Sequence, residues 1–305
     1  MEGILPLFKP KGLTSHDCVF KLRKILRMKK IGHTGTLDPD VTGVLPICLG
    51  KATKVAEYIT EAGKAYEGEA TIGIATTTED SSGDVIAEKK IEKSFSREQI
   101  LDVLNELTGE IVQIPPMYSA VKVNGKRLYE YARLGITVER PERKVTIHSI
   151  DLLDDRMIFE GERVKFRFRV SCSKGTYIRT LAVMIGEKLG YPAHMSDLVR
   201  IESAGYTIQD CLTFEEIEQK MEDGTLSDFI RPMESALFHL PKITINDTVA
   251  KKVKNGAILN IPENFLNMSE PIVIETEEGT VLAIYQKHPS KTGLMKPVKV
   301  LRNEE

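Results

Sequence analysis

The chain has 305 residues, of which 41% are hydrophobic and 28% charged, and its 42 Lys and Arg against 44 Asp and Glu give a formal net charge of −2. This length is typical of about two domains with a sizeable core, and the composition excludes a disordered, collagen-like or membrane-spanning protein. The near-neutral total argues weakly against a nucleic-acid partner, because phosphate-binding proteins are usually basic overall.

Cysteine and hydropathy patterns narrow the class further. The four cysteines, Cys18, Cys48, Cys172 and Cys211, form no CxxC or CxxH pair, which argues against a structural zinc site or a disulfide framework. No apolar run approaches the roughly 20 residues that span a bilayer. Residues 1–8 carry no signal-peptide pattern, so we expect a cytoplasmic protein without membrane contact.

The neutral total hides blocks of opposite charge. Residues 1–60 carry ten Lys and Arg against five Asp and Glu, and residues 117–145 carry seven against three. Residues 209–239 hold eight acids against two cations. The segments predict a basic face balanced by an acidic one.

Periodicity predicts α and β elements along the whole chain. Ser15 is a candidate N-cap, and Ser96 with Gln99 forms a capping-box pattern followed by Gly109 as a helix stop. The predicted helices cover residues 15–27, 54–62, 96–108, 127–134, 177–189 and 213–221. The predicted strands cover residues 44–49, 66–74, 144–153 and 163–172, and after residue 241 the short strands 271–275, 281–285 and 297–301.

One turn-rich segment carries the most chemical information. Residues 32–46 read GHTGTLDPDVTGVLP, with His33 and Asp38 five residues apart directly after a basic helix. The segment lacks the Lys-Ser/Thr of a phosphate loop, the alternating oxygens of an EF-hand and a His-Glu-x-x-His pattern. From these residues alone, Asp38 as a turn former and His33 as a hydrogen-bonded loop residue remain the simpler alternatives to catalysis.

The string Gly-His-Thr-Gly-Thr-Leu-Asp-Pro followed by Gly-Val-Leu-Pro closely resembles the catalytic motif of the bacterial TruB family, the tRNA pseudouridine-55 synthases. Further segments resemble other family motifs in the same order over residues 4–207: KPKGLTS at 9–15, KAYE at 64–67, GTYIRTL at 175–181 and the run from Ala193-His194 to Leu198 and Arg200. One departure is Val41, where the family often has alanine.

The resemblance implies an α+β fold, with a mixed, largely antiparallel central sheet and flanking helices. It also implies a catalytic domain over residues 1–240 and a PUA-like RNA-binding module over residues 241–305. Within the first domain, residues 117–145 would form a basic insertion that grips RNA, with Lys126 and Arg127 among its cations.

The resemblance further implies isomerisation of uridine to pseudouridine at position 55 in the T-loop of tRNA, without cofactor or metal. Asp38 would be the nucleophile and Arg179 its ion-pair partner, while Tyr66 would stack on the base and assist proton removal. His33 would fill the place of the flipped base. Asp80, Tyr177 and Leu198 correspond to substrate-contacting positions. Attack at C1′, attack at C6 and a glycal route all remain open.

The expected partner is the T-arm stem-loop of tRNA, bound by a monomer with no obligate protein partner. Two alternatives remain: a pseudouridine synthase for another RNA, and a non-catalytic RNA-binding protein or tRNA chaperone. Asp38 distinguishes them, since a pure binding protein needs no carboxylate in that loop.

Overall fold

The computed structural model describes residues 1–267 and 271–303. Within these residues the chain forms seven α-helices and twenty strands. The helices are α1 (Ser15–Ile25), α2 (Ala56–Glu61), α3 (Arg97–Glu106), α4 (Leu128–Arg133), α5 (Ile178–Leu189), α6 (Phe214–Glu222) and α7 (Asp247–Lys254).

The strands fall into two large sheets and three two-stranded ones. They are β1 (Gly3–Lys9), β2 (Ile31–His33), β3 (Thr42–Leu49), β4 (Lys64–Ile72), β5 (Ile74–Thr76), β6 (Val85–Glu88), β7 (Phe95–Ser96), β8 (Gly109–Gln113), β9 (Lys122–Val123), β10 (Lys126–Arg127), β11 (Arg143–Leu152), β12 (Ile158–Phe159), β13 (Val164–Cys172), β14 (Ala193–Ser203), β15 (Tyr206–Thr207), β16 (Lys242–Ile245), β17 (Leu259–Asn260), β18 (Ile272–Thr276), β19 (Val281–Lys287) and β20 (Leu294–Val300).

A nine-stranded sheet forms the centre of the molecule. Its order is β1-β3-β14-β4-β13-β11-β8, with β2 on β3 and β15 on β14. Every pairing in this sheet is antiparallel except that of β3 with β14. This arrangement confirms the predicted α+β class with a mixed, largely antiparallel sheet.

Five of the nine strands were absent from the predicted set, namely β1, β2, β8, β14 and β15, and for β14 and β1 the structure gives a physical reason. β14 lies between β3 and β4, but two register shifts, at Met195/Asp197 and Arg200/Glu202, break the alternation that identifies a strand in sequence. β1 contains Pro6, which cannot donate to a ladder. It is tolerated because β1 lies at the end of the sheet, where Pro6 faces Pro46 of β3.

The helix starts show which local signals were informative. The capping box of Ser96 and Gln99 is present and begins α3. The prediction of Ser15 as N-cap of α1 is wrong by one residue. Thr14 is the cap and accepts the backbone N–H of Asp17, whose carboxylate accepts the backbone N–H of Thr14. Ser15 is therefore free to contact another segment.

The second large sheet, β16-β18-β19-β20-β17, forms the C-terminal half-barrel module together with α7. The module packs on the central sheet through a shared apolar cluster. Val281, Ile284 and Leu301 of the module lie in this cluster with Ile4 and Val44 of the central sheet. The two sheets are separate, which favours the division of the chain at residue 240, but their apolar cores are joined in one cluster. The division therefore stays a prediction. No helix among residues 1–267 and 271–303 is long and apolar enough to cross a membrane.

Candidate active site

The loop that carries Asp38 connects β2 to β3 and is fixed on both sides of that residue. The fully buried Lys9 donates from Nζ to the carbonyl oxygens of Pro39 at 3.0 Å and Val41 at 2.7 Å. On the preceding side, the backbone N–H of Leu37 donates to Ser15 Oγ at 2.8 Å. Asp38 therefore projects from a backbone that two buried polar side chains hold in place.

The end of this loop is pinned by Arg200 of β14, which is 1% exposed. Its Nε donates to the Val44 carbonyl at 2.7 Å, and its Nη2 lies 3.4 Å from the Gly35 carbonyl. Gly43 pairs with Arg200 across the parallel ladder and has a φ of +111°. A Cβ at position 43 would lie 2.2 Å from the Arg200 carbonyl oxygen, so this close approach requires glycine.

Asp38 and Arg179 form the central ion pair of the site. Asp38 Oδ2 lies 3.1 Å from Arg179 Nη2, with the carboxylate side chain 44% exposed and the guanidinium 6% exposed. Arg179 stands in the first turn of α5 and also donates to the carbonyls of Thr78 at 2.9 Å and Tyr118 at 2.8 Å. The buried guanidinium is thus held rigidly and presents one edge to the accessible carboxylate.

The electrostatics of Asp38 are set by competing effects. Burial raises the pKa of Asp38, the Arg179 charge opposes the rise, and the nearby Asp80 charge adds to it. Desolvation is the largest of these effects, so the pKa of Asp38 lies above its ordinary value although it has a cationic partner.

Asp80 lies on the other side of Arg179, in the turn at residues 77–84 of the β5–β6 hairpin. Its Oδ2 is 3.6 Å from Arg179 Nη1. Its Oδ1 accepts hydrogen bonds from Thr78 Oγ1 at 2.7 Å and from the backbone N–H of Ser82 at 2.9 Å. The carboxylate is therefore anchored within its own turn and completes an Asp38–Arg179–Asp80 row.

This row borders a cleft of about 490 Å³. Of the predicted site residues, Asp38, Asp80, Arg179 and Leu198 line it. The insertion contributes Tyr118, Tyr129 and Arg133. The cleft thus has a carboxylate and a fixed cation at its floor, and aromatic and cationic side chains from the insertion at its wall. A nucleotide could be held there by charge and by stacking.

Three predicted residues lie outside the cleft lining. Tyr66 is buried in the core and pairs with Arg200 across β4 and β14, and burial raises the pKa of its hydroxyl. His33 ends β2, and burial lowers the pKa of its imidazole. Tyr177 is the N-cap of α5, where its backbone N–H donates to Gln113 Oε1 at 2.9 Å. None of these three is among the residues that line the cleft.

Lys126 and Arg127 form the exposed strand β10 of the insertion, also outside the cleft lining. Arg127 donates to the Tyr129 hydroxyl at 3.0 Å, and the guanidinium of Arg133 lies 5.3 Å from the centre of the Tyr129 ring. Arg127 is thus connected to the cleft through Tyr129 at the start of α4, and Lys126 is its neighbour on β10.

Sequence reasoning gave no role to two buried cations of the site, Lys9 and Arg200. Both stand inside motifs that resemble the family, which is the signal that could have identified them. Tyr129 and Arg133 belong to the basic insertion that was predicted to contact RNA, but no motif placed them at the cleft, because only the docking of the insertion brings them there. Within the described ranges 1–267 and 271–303, no three His, Cys, Asp or Glu side chains are grouped so that they could hold a metal ion.

Comparison with solved structures places this fold. The structure described as "Crystal Structure of a Cbf5-Nop10-Gar1 Complex" matches with a TM-score of 0.76 and 31% identity, over 99% of this chain and 85% of that one. The structure of the archaeal box H/ACA sRNP Nop10-Cbf5 complex matches with a TM-score of 0.73 and 28% identity, over 99% of this chain and 86% of that one. The mixed α+β fold is therefore that of the pseudouridine synthases.

Family comparison gives the more specific assignment. The description "TruB family pseudouridylate synthase (N terminal domain)" matches residues 23–178, and "tRNA pseudouridylate synthase B C-terminal domain" matches residues 179–238. A protein named tRNA pseudouridine synthase B from Geobacillus thermodenitrificans is 59% identical, over 99% of this chain and 100% of its own length. A protein of the same name from Bacillus cereus is 57% identical, over 100% of this chain and 99% of its own length. The chain belongs to the TruB family.

Proposed function

We propose that the chain isomerises uridine to pseudouridine in tRNA, at position 55 of the T-loop, with Asp38 as the nucleophile and no cofactor. The observation that carries the proposal is the accessible Asp38 carboxylate, 3.1 Å from the buried Arg179, at the floor of a cleft of about 490 Å³. The names of the relatives from Geobacillus and Bacillus, which match along nearly the whole chain, support tRNA as the substrate.

The reaction breaks the bond between N1 of uracil and C1′ of ribose, rotates the freed base and joins C5 to C1′. The proton on C5 then leaves and N1 takes up a proton, so the product is an isomer of uridine. An ionised carboxylate can attack and later depart without redox or metal chemistry. Asp38 could bond to C1′ or C6, or remove a ribose proton to form a glycal. In each route Arg179 keeps the ionised carboxylate in one orientation.

The base must leave the folded T-loop to reach Asp38. Extrusion costs a few kcal/mol of lost stacking. Stacking on an aromatic side chain returns about 1–3 kcal/mol. Tyr66 is the proposed stacking partner, and the Asp38 charge lies near enough to add to the rise of its hydroxyl pKa. His33 is proposed to fill the vacated place, and Tyr177 and Leu198 to contact the substrate.

The insertion is proposed to bind the phosphates of the T-arm. Lys126 and Arg127 are exposed on β10, and Tyr129 and Arg133 continue the same surface to the cleft. Phosphate contacts of this kind give affinity and register but carry no sequence information. The proposal includes a cytoplasmic monomer that needs no protein partner.

The first test measures release of tritium from C5 of uridine in unmodified tRNA. We expect release by the wild-type protein without added metal or nucleotide, and loss of release on T-loop variants that lack the target uridine. Asp38→Asn should abolish release while RNA affinity stays within a few-fold. The exposed Asp102→Asn on α3 is the matched control and should keep wild-type turnover.

Each alternative gives a different result in this assay. Turnover by Asp38→Asn would contradict the nucleophile assignment. Release from a different RNA but not from tRNA would favour a synthase for that RNA. Tight tRNA binding with no release from any RNA would favour a non-catalytic binding protein or chaperone.

A further inference from the structure

Gln113, the last residue of β8, binds the backbone of the segment that carries Arg179. It is polar but buried, with 2% of its surface exposed. Its Oε1 accepts the backbone N–H of Tyr177 at 2.9 Å, and its Nε2 donates to the Tyr177 carbonyl at 3.2 Å. One side-chain amide therefore binds both backbone polar groups of the residue that lies two positions before Arg179.

The helix start at Tyr177 has no cap of its own. Within the described part of the chain, the N-cap residue of α5 makes no side-chain capping hydrogen bond, and the first turn contains no acidic residue. In α1, α3 and α6 the hydroxyl of a Ser or Thr at the N-cap accepts a backbone N–H of the first turn. Such a cap satisfies a free N–H group and holds the chain where it enters the helix. For α5 this support comes from outside the helix, and Gln113 supplies part of it.

Other contacts support the same helix start. Ser173, in the turn before α5, donates its N–H to the Thr146 carbonyl at 2.8 Å, and its Oγ accepts the Thr146 N–H at 2.9 Å. Thr146 belongs to β11, the neighbour of β8 in the central sheet. In the first turn of α5, Thr180 Oγ1 donates to Glu79 Oε2 at 2.8 Å. These contacts remain when Gln113 is replaced, so α5 should still form.

The direction of the Arg179 side chain depends on this helix start. Arg179 is the second residue of α5 and is 5% exposed. Its Nη2 lies 3.1 Å from Asp38 Oδ2, and its Nη1 lies 3.6 Å from Asp80 Oδ2. A shift of the helix start by about 1 Å changes both distances, and a misplacement of that size can cost about a hundred-fold in rate. Gln113 does not line the cleft, so its effect on the reaction is transmitted through α5.

We propose that Gln113 is a positioning residue for the reaction, which holds the start of α5 so that Arg179 faces Asp38. The proposal rests on the proposed function, because Asp38 is the reacting carboxylate there. A residue that only stabilises the fold changes the amount of folded protein. A residue that directs Arg179 changes the turnover of the folded protein and the charge that acts on Asp38.

The test uses Gln113→Met in the full-length chain, which removes both hydrogen bonds to Tyr177 and keeps an unbranched side chain. We expect kcat of tritium release to fall about ten-fold and KM for tRNA to stay within about three-fold, because the reacting groups are misplaced and no RNA contact is lost. The acid limb of kcat/KM should move to higher pH, because Arg179 then opposes the raised pKa of Asp38 less. The substitution leaves in place the other charges that act on Asp38, which are those of Asp80, Lys9 and Asp40.

Two further variants make the test specific. Gln113→Met combined with Arg179→Met should have a kcat within about two-fold of Arg179→Met alone, because Gln113 acts through Arg179. Independent effects would instead multiply. Gln113→Asn carries the same amide on a side chain one methylene shorter, so it should move the acid limb in the same direction, and it decides the proposal if Gln113→Met does not fold.

The matched control is Tyr285→Phe, which removes a buried hydrogen bond to the Ala257 carbonyl in the C-terminal module. It should leave kcat, KM and the acid limb unchanged. An acid limb that stays in place in the folded Gln113 variants would overturn the proposal, and so would a higher KM with unchanged kcat or multiplied losses in the double variant. A wild-type protein inactive on tRNA would contradict the proposed function instead. Carbon-13 NMR titration of the Asp38 carboxyl would then still decide the role of Gln113, because the pKa should rise in Gln113→Met and an unchanged pKa would overturn the proposal.

Discussion

At the scale of single residues, the site combines an accessible carboxylate with a buried guanidinium. Asp38 is 44% exposed and Arg179 6% exposed, so the cation is the fixed member of the pair. Because desolvation outweighs the attraction of Arg179, the pKa of Asp38 is raised. A nucleophilic carboxylate must be ionised, so the activity proposed for Asp38 should fall as the pH drops through this raised pKa.

Replacement of Arg179 should move that acid limb. Arg179→Met removes the charge that opposes the rise, so the pKa of Asp38 should increase further and the acid limb of kcat/KM should shift to higher pH. We also expect roughly a hundred-fold loss of kcat at neutral pH. Arg179→Lys keeps a charge but lacks the two-pronged guanidinium geometry, so its kcat and the position of its acid limb should lie between those of the wild type and Arg179→Met. An acid limb that stays in place or moves to lower pH would contradict this assignment, provided circular dichroism shows a folded variant.

At the scale of elements, two adjacent residues at the start of α1 have different roles: one stabilises the helix and the other positions the loop that carries Asp38. Thr14 caps the helix, whereas Ser15 accepts the backbone N–H of Leu37, next to Asp38. The cap is a local feature that the sequence nearly identified, off by one position. The contact of Ser15 joins residues 22 apart and has no local signal.

Thr14→Ala and Ser15→Ala should therefore differ in kind. Thr14→Ala should lower the free energy of unfolding by about 1 kcal/mol and leave kcat unchanged. Ser15→Ala leaves a buried N–H without its acceptor, at a cost of about 1–3 kcal/mol, and frees the loop beside Asp38. We expect its kcat to fall about ten-fold or more. Denaturant unfolding measures the change in the free energy of unfolding, and tritium release measures kcat. An equal effect of the two variants on kcat would argue against a loop-positioning role of Ser15.

The insertion gives a second prediction at this scale. Lys126→Ala with Arg127→Ala should reduce the slope of log binding constant against log salt by about 1–2, because two phosphate contacts are lost. The control is Lys220→Ala with Arg231→Ala, which removes the two cations of the acidic segment 209–239. An unchanged slope in the first variant, or an equal change in the control, would leave the insertion without a role in phosphate binding.

At the scale of the whole molecule, the two large sheets share one apolar cluster. Leu301 is fully buried in it, and its backbone N–H donates to the Leu282 carbonyl at 2.9 Å. Two polar contacts also join the C-terminal module to the first part of the chain. Lys54 Nζ donates to the Val300 carbonyl at 2.8 Å, and Lys299 Nζ lies 3.1 Å from Glu57 Oε1. The C-terminal module should therefore unfold together with the central sheet.

Leu301→Ala tests this coupling. It should lower the free energy of unfolding by about 2–4 kcal/mol, because the cavity opens in the shared cluster, and thermal unfolding should remain a single transition. Leu266→Ala in the same module, where the leucine is 44% exposed, should stay within about 0.5 kcal/mol of wild type. Separate transitions of the two sheets would contradict the coupling.

The sequence predicts those structural features that depend on residues close together in the chain, and it fails for features that depend on contacts between distant segments. Regular strands such as β13, whose buried and exposed positions alternate, and capped helices such as α3 were predicted to within one or two residues of their ends. β14 was not predicted, because its bulges remove the periodicity. In the site, motif resemblance predicted the ion pair of Asp38 with Arg179, which the structure contains, but it gave Asp80 only as a substrate-contacting residue and not as a second partner of Arg179. The buried position of Tyr66 and the cleft contacts of Tyr129 depend on tertiary packing, which no local pattern encodes.

The contact at Gly43 has a consequence for how the enzyme could be altered by mutation. Since a Cβ at this position would lie 2.2 Å from the Arg200 carbonyl oxygen, the start of β3, which directly follows the loop that carries Asp38, tolerates no side chain there. The opposite wall is formed by side chains of the insertion, among them Tyr129 and Arg133, which can be exchanged without disturbing the central sheet. Attempts to evolve or redesign the RNA preference in the laboratory should therefore place their diversity in that wall and keep the floor constant.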